Sequence, residues 1–216
     1  VIPQEKVAKD FLPSKQELND VSYLVGVNFG SFIKGYNFGD LNMAQVRKGI
    51  EDFLNAKQND DPAAFAAQFR VDPNEMNELF NNYLQNRHDY ILYSNKERED
   101  KFLTKNAKKP GVKVTPSGLQ YKIIAEGNEV HPAMADTVWV KYKGTLLDGT
   151  VFDETKADDD AIHFTLGQVI QGWNEALPLI GEGGEIEIYV PYKLGYGEQG
   201  TRGAIGPAET LIFNIS

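Results

Sequence analysis

The chain has 216 residues, 41% hydrophobic and 25% charged, so it is long enough for one large domain or two small ones and apolar enough to bury a core. Its net charge of −9 argues against a nucleic-acid partner. It has no cysteine, which excludes disulfides, thiol catalysis and cysteine metal sites.

The charge is unevenly spread. Residues 1–110 carry 15 Lys+Arg against 16 Asp+Glu, a net of −1; residues 111–216 carry 7 against 15, a net of −8. Two domains are expected. The start, "VIPQEKVAKDF", has neither an initiator methionine nor a signal-peptide pattern. It reads as a processed or trimmed end, and the expected missing part is a signal sequence or lipid anchor.

The first half reads as helices. Val21, Leu24, Val25, Phe29, Phe32, Ile33 and Tyr36 recur at helical spacing. This run, "VSYLVGVNFGSFI" over 21–33, spans 13 residues, short of the roughly 20 that cross a bilayer, so no transmembrane segment is expected. It also contains Gly26 and Gly30, a G-x-x-x-G spacing that lets two helices approach closely. Spacing alone leaves open whether the partner helix is in the same chain or in a second copy.

Asn42 followed by Gln45 resembles a capping box opening a second helix with Val46, Ile50, Phe53 and Leu54 on one face. "DDPAAFAAQF" supplies an aspartate cap and Pro62 in the first turn of a short third helix. Asp72, Pro73 and Glu75 repeat that start. Neither Pro nor Gly occurs from Asn74 to Lys109, so this helix is expected to exceed 30 residues, about 50 Å at 1.5 Å per residue. Met76, Leu79, Phe80, Tyr83, Leu84 and Ile91 make its early part amphipathic. "SNKEREDK" (94–101) is polar all round, which predicts a solvent-bridging stalk.

After "NAKKPGVKVTPSG" the period changes to two. Leu119, Tyr121 and Ile123 alternate, as do Val138, Val140 and Tyr142, and Ile186, Ile188 and Val190. Asp148-Gly149 predicts a two-residue hairpin turn. A short apolar helix is expected near Trp173–Ile180. The fold class is α+β, with residues 1–72 a helical domain, 73–110 a long connecting helix and 111–216 an antiparallel-sheet domain.

Conventional chemistry finds little support. "IGEGGE" (180–185) follows a helix and precedes a strand, the wrong order for a dinucleotide fingerprint. His88, His131 and His163 show no i, i+4 metal spacing and are expected at the surface. Asp158–Asp160 lack the glycine and terminal glutamate of an EF-hand loop. "GEQGTRGAIG" (197–206) reads as a flexible loop. No metal and no cofactor is expected. The second half is instead rich in aromatics: Tyr142, Phe152, Phe164, Trp173, Tyr196 and Phe213, with the carboxylate of Asp153 beside Phe152.

The ordered stretches "VWVKYKGTLLDGTVFDE", "FTLGQVIQGWNEAL" and "YGEQGTRGAIGPAETLIF" closely resemble FKBP-type peptidyl-prolyl isomerases, from about Val114 to Ser216. "VSYLVGVNFG", "VRKGIEDFL" and "FLTKNAKKPGVKVTPSGLQY" resemble the N-terminal helical domain of the Mip and FkpA group. The resemblance implies a half-barrel sheet wrapped on the short helix, with an apolar proline pocket between them. It implies Trp173 as the pocket floor and Tyr142, Phe152, Val169, Ile170 and Phe213 as walls, with Ile162, Phe164 and Ile205 completing the lining. The Ile170 N–H and the Tyr196 hydroxyl would bind substrate carbonyls, and Asp153 would orient Tyr142, so Tyr142, Asp153 and Tyr196 are the expected catalytic groups. Ile162 stands where the family usually has an aromatic, Thr201 where some members have histidine, and Gly206-Pro207 where a Pro-Pro is usual.

The resemblance further implies a prolyl isomerase with chaperone activity toward proline-containing unfolded or partly folded proteins, in the bacterial periplasm or cell envelope. It implies a homodimer through the N-terminal helices and binding of macrolide inhibitors. The alternative is a non-catalytic binding chaperone that uses the FKBP fold as a recognition module.

Overall fold

A computed structural model describes residues 4–216, in two compact units that divide between Arg87 and His88. The reading of the chain's start begins on residues 1–3, which lie outside the described residues.

The first unit is helical. A 3₁₀ turn at Ala8–Phe11 leads to α1 (Lys15–Gly35), α2 (Met43–Asn55) and α3 (Pro62–Ala66), and a second 3₁₀ turn (Pro73–Glu75) opens α4 (Met76–Asn106). Short polar side chains start these helices by accepting orphan backbone N–H groups. Ser14 accepts from Glu17 N at 3.1 Å, Asn42 from Gln45 N at 3.3 Å, Asp61 from Ala63 N at 3.1 Å and Asp72 from Asn74 N at 2.9 Å. The return half of the Asn42 box does not form, because the Gln45 side chain accepts from Arg70 Nη2 instead.

Phe38, in the α1–α2 connection, is buried. Phe32, Phe80 and Tyr83 surround its ring at centroid distances of 5.8, 5.1 and 6.1 Å, and the Tyr83 hydroxyl donates to the Phe38 carbonyl at 2.7 Å. Arg87 Nε donates to the Asn37 carbonyl at 2.8 Å. Phe53, Phe65 and Phe69 pack on one another beside the buried Ala66, but much of the remaining apolar surface is uncovered. Neither α1 nor α2 has a buried residue, and Leu24 and Val25 are 61% and 53% exposed. The intrachain reading of Gly26 and Gly30 finds no partner among the described residues, where a Cβ built at either meets nothing within 4 Å.

The second unit contains the rest of α4 and eight strands: β1 (Lys113–Val114), β2 (Gln120–Ala125), β3 (Thr137–Val140), β4 (Tyr142–Leu146), β5 (Val151–Glu154), β6 (Ile162–Thr165), β7 (Glu185–Val190) and β8 (Leu211–Ile215). Six form an antiparallel sheet in the order β1-β2-β7-β8-β4-β5, and β3 pairs with β6 in a separate ribbon. The helix α5 (Gln171–Ala176) and a 3₁₀ turn (Leu177–Leu179) pack on the six-stranded sheet. Ile186, Ile188, Val190, Leu211 and Ile215 have no exposed surface and meet Trp173, Ala176 and Leu177 in one core. The period-two residues of the sequence therefore do face the helix.

Two local expectations change. The β4–β5 connection is not a two-residue turn. Gly149 N donates to Leu146 O at 3.0 Å, Leu146 N to Thr150 O at 2.9 Å, and Gly149 alone in the connection has positive φ, +88°. That is a three-residue loop in which a type I turn ends on a left-handed glycine. The polar part of α4 is not a free stalk either. Leu92, Asn95, Glu99 and Asn106 are buried within the second unit, and the Phe102 ring lies 5.9 Å from that of Tyr189. Its polar side chains bond to loop and sheet groups, which burial of a polar helix face requires.

Candidate active site

The site begins with a glycine that brings α5 close to the sheet. A Cβ on Gly172 would lie 2.7 Å from Val190 Cγ1, so a larger residue would push the helix off β7. The next residue, Trp173, is 4% exposed. Tyr142, Phe164 and Phe213 meet its ring nearly perpendicular, at centroid distances of 5.1, 5.2 and 5.3 Å and angles of 83°, 74° and 86°. Phe152 meets Phe213 at 5.5 Å and 89°. Edge-to-face packing places positive ring edges against negative ring faces. Gly144 makes room for it, since a Cβ there would meet Phe152 at 2.5 Å and Phe213 at 2.9 Å.

The Tyr142 hydroxyl donates to an Asp153 carboxylate oxygen across β4 and β5. Burial, and then the hydrogen bond to Asp153, hold the Tyr142 hydroxyl well above the usual phenol range. It is a protonated donor at every physiological pH. Tyr196 is 41% exposed, on the loop after the 3₁₀ turn Tyr192–Leu194, and its phenol lies close enough to raise the Tyr142 pKa further.

Ile170 is the residue before α5. Its carbonyl accepts from Trp173 N at 3.0 Å and Asn174 N at 3.2 Å, while its own N–H has no partner among the described residues. Asn174 fixes this turn: its Oδ1 accepts from Gly167 N at 2.7 Å and its Nδ2 donates to the Val169 carbonyl at 3.1 Å. The sequence reading missed Asn174, whose only signal is a polar residue one place after the tryptophan. Trp173 Nε1 is also buried without a partner.

The expected residues come together unevenly. Tyr142, Phe152, Phe164, Val169, Ile170 and Phe213 pack against the cluster that holds Trp173, and Ile205, 6% exposed, belongs to it. Ile162, on β6 opposite Val140, is 43% exposed and stands outside that cluster. All three histidines are exposed; His163 packs against Trp139 with ring centroids 4.9 Å apart and planes tilted by 48°, and His131 Nδ1 lies 2.8 Å from the Pro178 carbonyl. Among the described residues, no group of three or more His, Asp or Glu side chains could hold a metal ion, and no helix is long and apolar enough to cross a membrane. A cleft of about 460 Å³ lies elsewhere, between Trp139 on β3 and the Ile180–Gly184 loop, and shares no residue with the aromatic cup.

Comparison with known proteins agrees with this geometry. Residues 128–216 match the family of FKBP-type peptidyl-prolyl cis-trans isomerases, and residues 18–123 match the domain amino-terminal to it. The chain is 36% identical to the outer membrane protein MIP of Legionella longbeachae over 215 residues, 96% of this chain and 88% of that protein. It is 36% identical to the probable FKBP-type isomerase FkpA of Neisseria meningitidis over 206 residues, 92% and 72% of the two chains. The crystal structure of FkpA from Escherichia coli superposes with a TM-score of 0.69 at 28% identity, covering 95% of this chain and 96% of that one. The two family-model matches and these relatives place the chain in the FKBP-type peptidyl-prolyl cis-trans isomerases and make it an enzyme of that class rather than a recognition module alone.

Proposed function

We propose that the chain isomerises X–Pro bonds of unfolded or partly folded proteins in the cup over Trp173. The observation that carries this reading is the perpendicular enclosure of a buried indole by Tyr142, Phe164 and Phe213, with the Tyr142 hydroxyl tied to Asp153.

The chemistry needs no nucleophile. Amide resonance sets a barrier of about 18–20 kcal/mol, and uncatalysed exchange takes tens to hundreds of seconds. No bond breaks. The planar amide is more charge-separated than the twisted one, so an apolar cup disfavours the planar form relative to the twisted one. Binding that is stronger at the transition state than in the ground state is what accelerates a reaction. Trp173 offers the proline ring an apolar floor. Ile170 N–H and the Tyr196 hydroxyl are donors for the carbonyls on either side. Asp153 holds the Tyr142 hydroxyl in one direction. Phe152, Phe164, Val169, Ile205 and Phe213 keep water from the floor, and Ile162 contributes from the rim.

In this reading residues 1–72 dimerise, 73–110 connect and 111–216 catalyse. The uncovered apolar face of α1, with its two unobstructed glycines, supports a homodimer through the N-terminal helices. Two cups on one dimer raise the effective concentration of the second site for a bound client, which suits a chaperone. The name of the Legionella longbeachae relative, an outer membrane protein, supports the bacterial cell envelope, including the periplasm, as its place, and the apolar cup supports macrolides as inhibitors.

The test is cis–trans exchange of short X–Pro peptides with wild type beside Trp173→Leu. Acceleration by wild type that falls by more than tenfold in a folded variant supports the cup as the active site. Equal activity of the two proteins would place the chemistry elsewhere.

A further inference from the structure

We infer that Glu99, on α4, is a positioning residue of the isomerase: it clamps both ends of the loop that carries Tyr196 and Ile205. The inference rests on the proposal that those two residues meet substrate.

The loop runs from Tyr192 to Thr210, between β7 and β8. It contains Gly195, Gly197, Gly200, Gly203 and Gly206, and glycine loses more conformational freedom on ordering than any other residue. Within the loop, Gly197 N donates to Tyr192 O at 2.8 Å, Thr201 N to Ile205 O at 2.8 Å and Ala208 N to Gly197 O at 3.0 Å. The anchors that fix its ends come from α4. One oxygen of Glu99, Oε2, accepts from the Tyr192 backbone N–H at 2.8 Å and from the Thr210 hydroxyl at 2.6 Å. The first and last residues of the loop are thereby held by a single carboxylate that is 8% exposed.

One turn earlier on the same helix face, Asn95 Nδ2 donates to the Pro207 carbonyl at 2.8 Å. Pro207 precedes Ala208, which sits at a φ of 51°, a conformation that non-glycine residues adopt only when their surroundings hold them there. Lys96 pairs with Glu198 at 2.6 Å nearer the loop tip. The helix has its own fixing point on the sheet: Asn106 Nδ2 donates to Gln120 Oε1, and Gln120 Nε2 to the Leu103 carbonyl, both at 2.9 Å. It is a rigid post for the loop.

Burial raises the Glu99 carboxyl above its ordinary range, against the opposing pull of the Thr210 and Tyr192 donors. A group kept there at that cost has a task in the fold. No other carboxylate of the second unit reaches two ends of one loop among the described hydrogen bonds.

The experiment uses the full chain and compares Glu99→Ala, Glu99→Gln, Asn95→Ala and Tyr196→Phe. It reads kcat/KM on an X–Pro peptide together with amide hydrogen exchange between Gly195 and Ala208. Glu99→Ala is expected to lower kcat/KM about tenfold, as it would if the loop held its competent form about a tenth of the time. Exchange in the loop should rise while the amides of β7 and β8 keep their protection. Glu99→Gln keeps an acceptor oxygen at the same reach and should recover most of the rate. Asn95→Ala, which removes the Pro207 anchor alone, should give a smaller change of the same kind. Loop exchange and rate at wild-type values in Glu99→Ala overturn the inference. So does a loss of protection spread evenly over the sheet, or a Gln variant no better than Ala. Tyr196→Phe reports separately on the substrate-binding reading: a wild-type rate there would remove Tyr196 from the site, while loop exchange still judges Glu99.

Discussion

The Tyr142 hydroxyl and the Asp153 carboxylate join the strands β4 and β5 at the mouth of the cup, and Gly144, directly opposite Asp153 in the register, is the residue whose missing side chain admits the Phe152 and Phe213 rings. Polar orientation and aromatic packing thus meet at one rung of the sheet.

Asp153 is exposed, so its loss should spare the fold and strike the site. A hydrogen bond to a charged group contributes about 1.5–3 kcal/mol. Asp153→Ala is therefore expected to reduce kcat/KM by about tenfold to a hundredfold, with an unchanged circular dichroism spectrum. An unaltered rate in the peptide assay would remove Asp153 from the mechanism.

Trp173 serves both stability and chemistry, and two substitutions separate them. Trp173→Ala should lower unfolding free energy by about 3–5 kcal/mol, the range for emptying a large aromatic site in a core. Trp173→Leu refills part of the volume and should recover part of that loss in urea titrations. It does not recover the flat face, so its isomerase rate should stay low.

Gly172→Ala places a methyl 2.7 Å from Val190, a fully buried side chain. Overpacking of this kind costs about 1–3 kcal/mol. Adding Val190→Ala should relieve much of it, because the two sites share one space. Thermal unfolding of the two single variants and the double variant checks this; strict additivity would mean that the clash is absorbed elsewhere.

Glu99 also predicts a pH dependence. Its folded pKa is raised, so its contribution to stability is fully present below the unfolded value near 4.5 and declines as pH rises through the folded value. The neighbouring charges are Asp100, which raises it further, and Lys193, which lowers it. Glu99→Gln cannot ionise. Its stability relative to wild type should therefore improve between pH 4 and pH 7 in urea unfolding, and a constant difference across that range would contradict the buried-acid account.

The apolar face of α1 predicts association. Light scattering at micromolar concentration should give twice the chain mass, and Leu24→Asp with Val25→Asp should halve it. Turnover of a short peptide should be unaffected, because neither residue belongs to the cup; a monomeric wild type would remove the homodimer.

Much of this was legible from residue order. Periods of 3.6 and 2 separated the helical half from the sheet half because burial on one side of an element repeats with its geometry. Asp61 and Asp72 marked helix starts because their carboxylates reach the next free N–H groups, a purely local matter. The adjacent Gly172 and Trp173, and the aromatic series around them, pointed to the cup because those residue types in that order form a family signature. What the sequence could not supply was the partner of each polar group. Glu99 lies in an eight-residue polar run that looks solvated, yet its acceptor oxygen serves donors 93 and 111 residues away. Asn174 ties down its own turn through backbone groups that carry no sequence signal. Side-chain periodicity is written in the chain, whereas the burial of a polar side chain depends on which backbone N–H or carbonyl the tertiary fold brings to it, and every residue carries those.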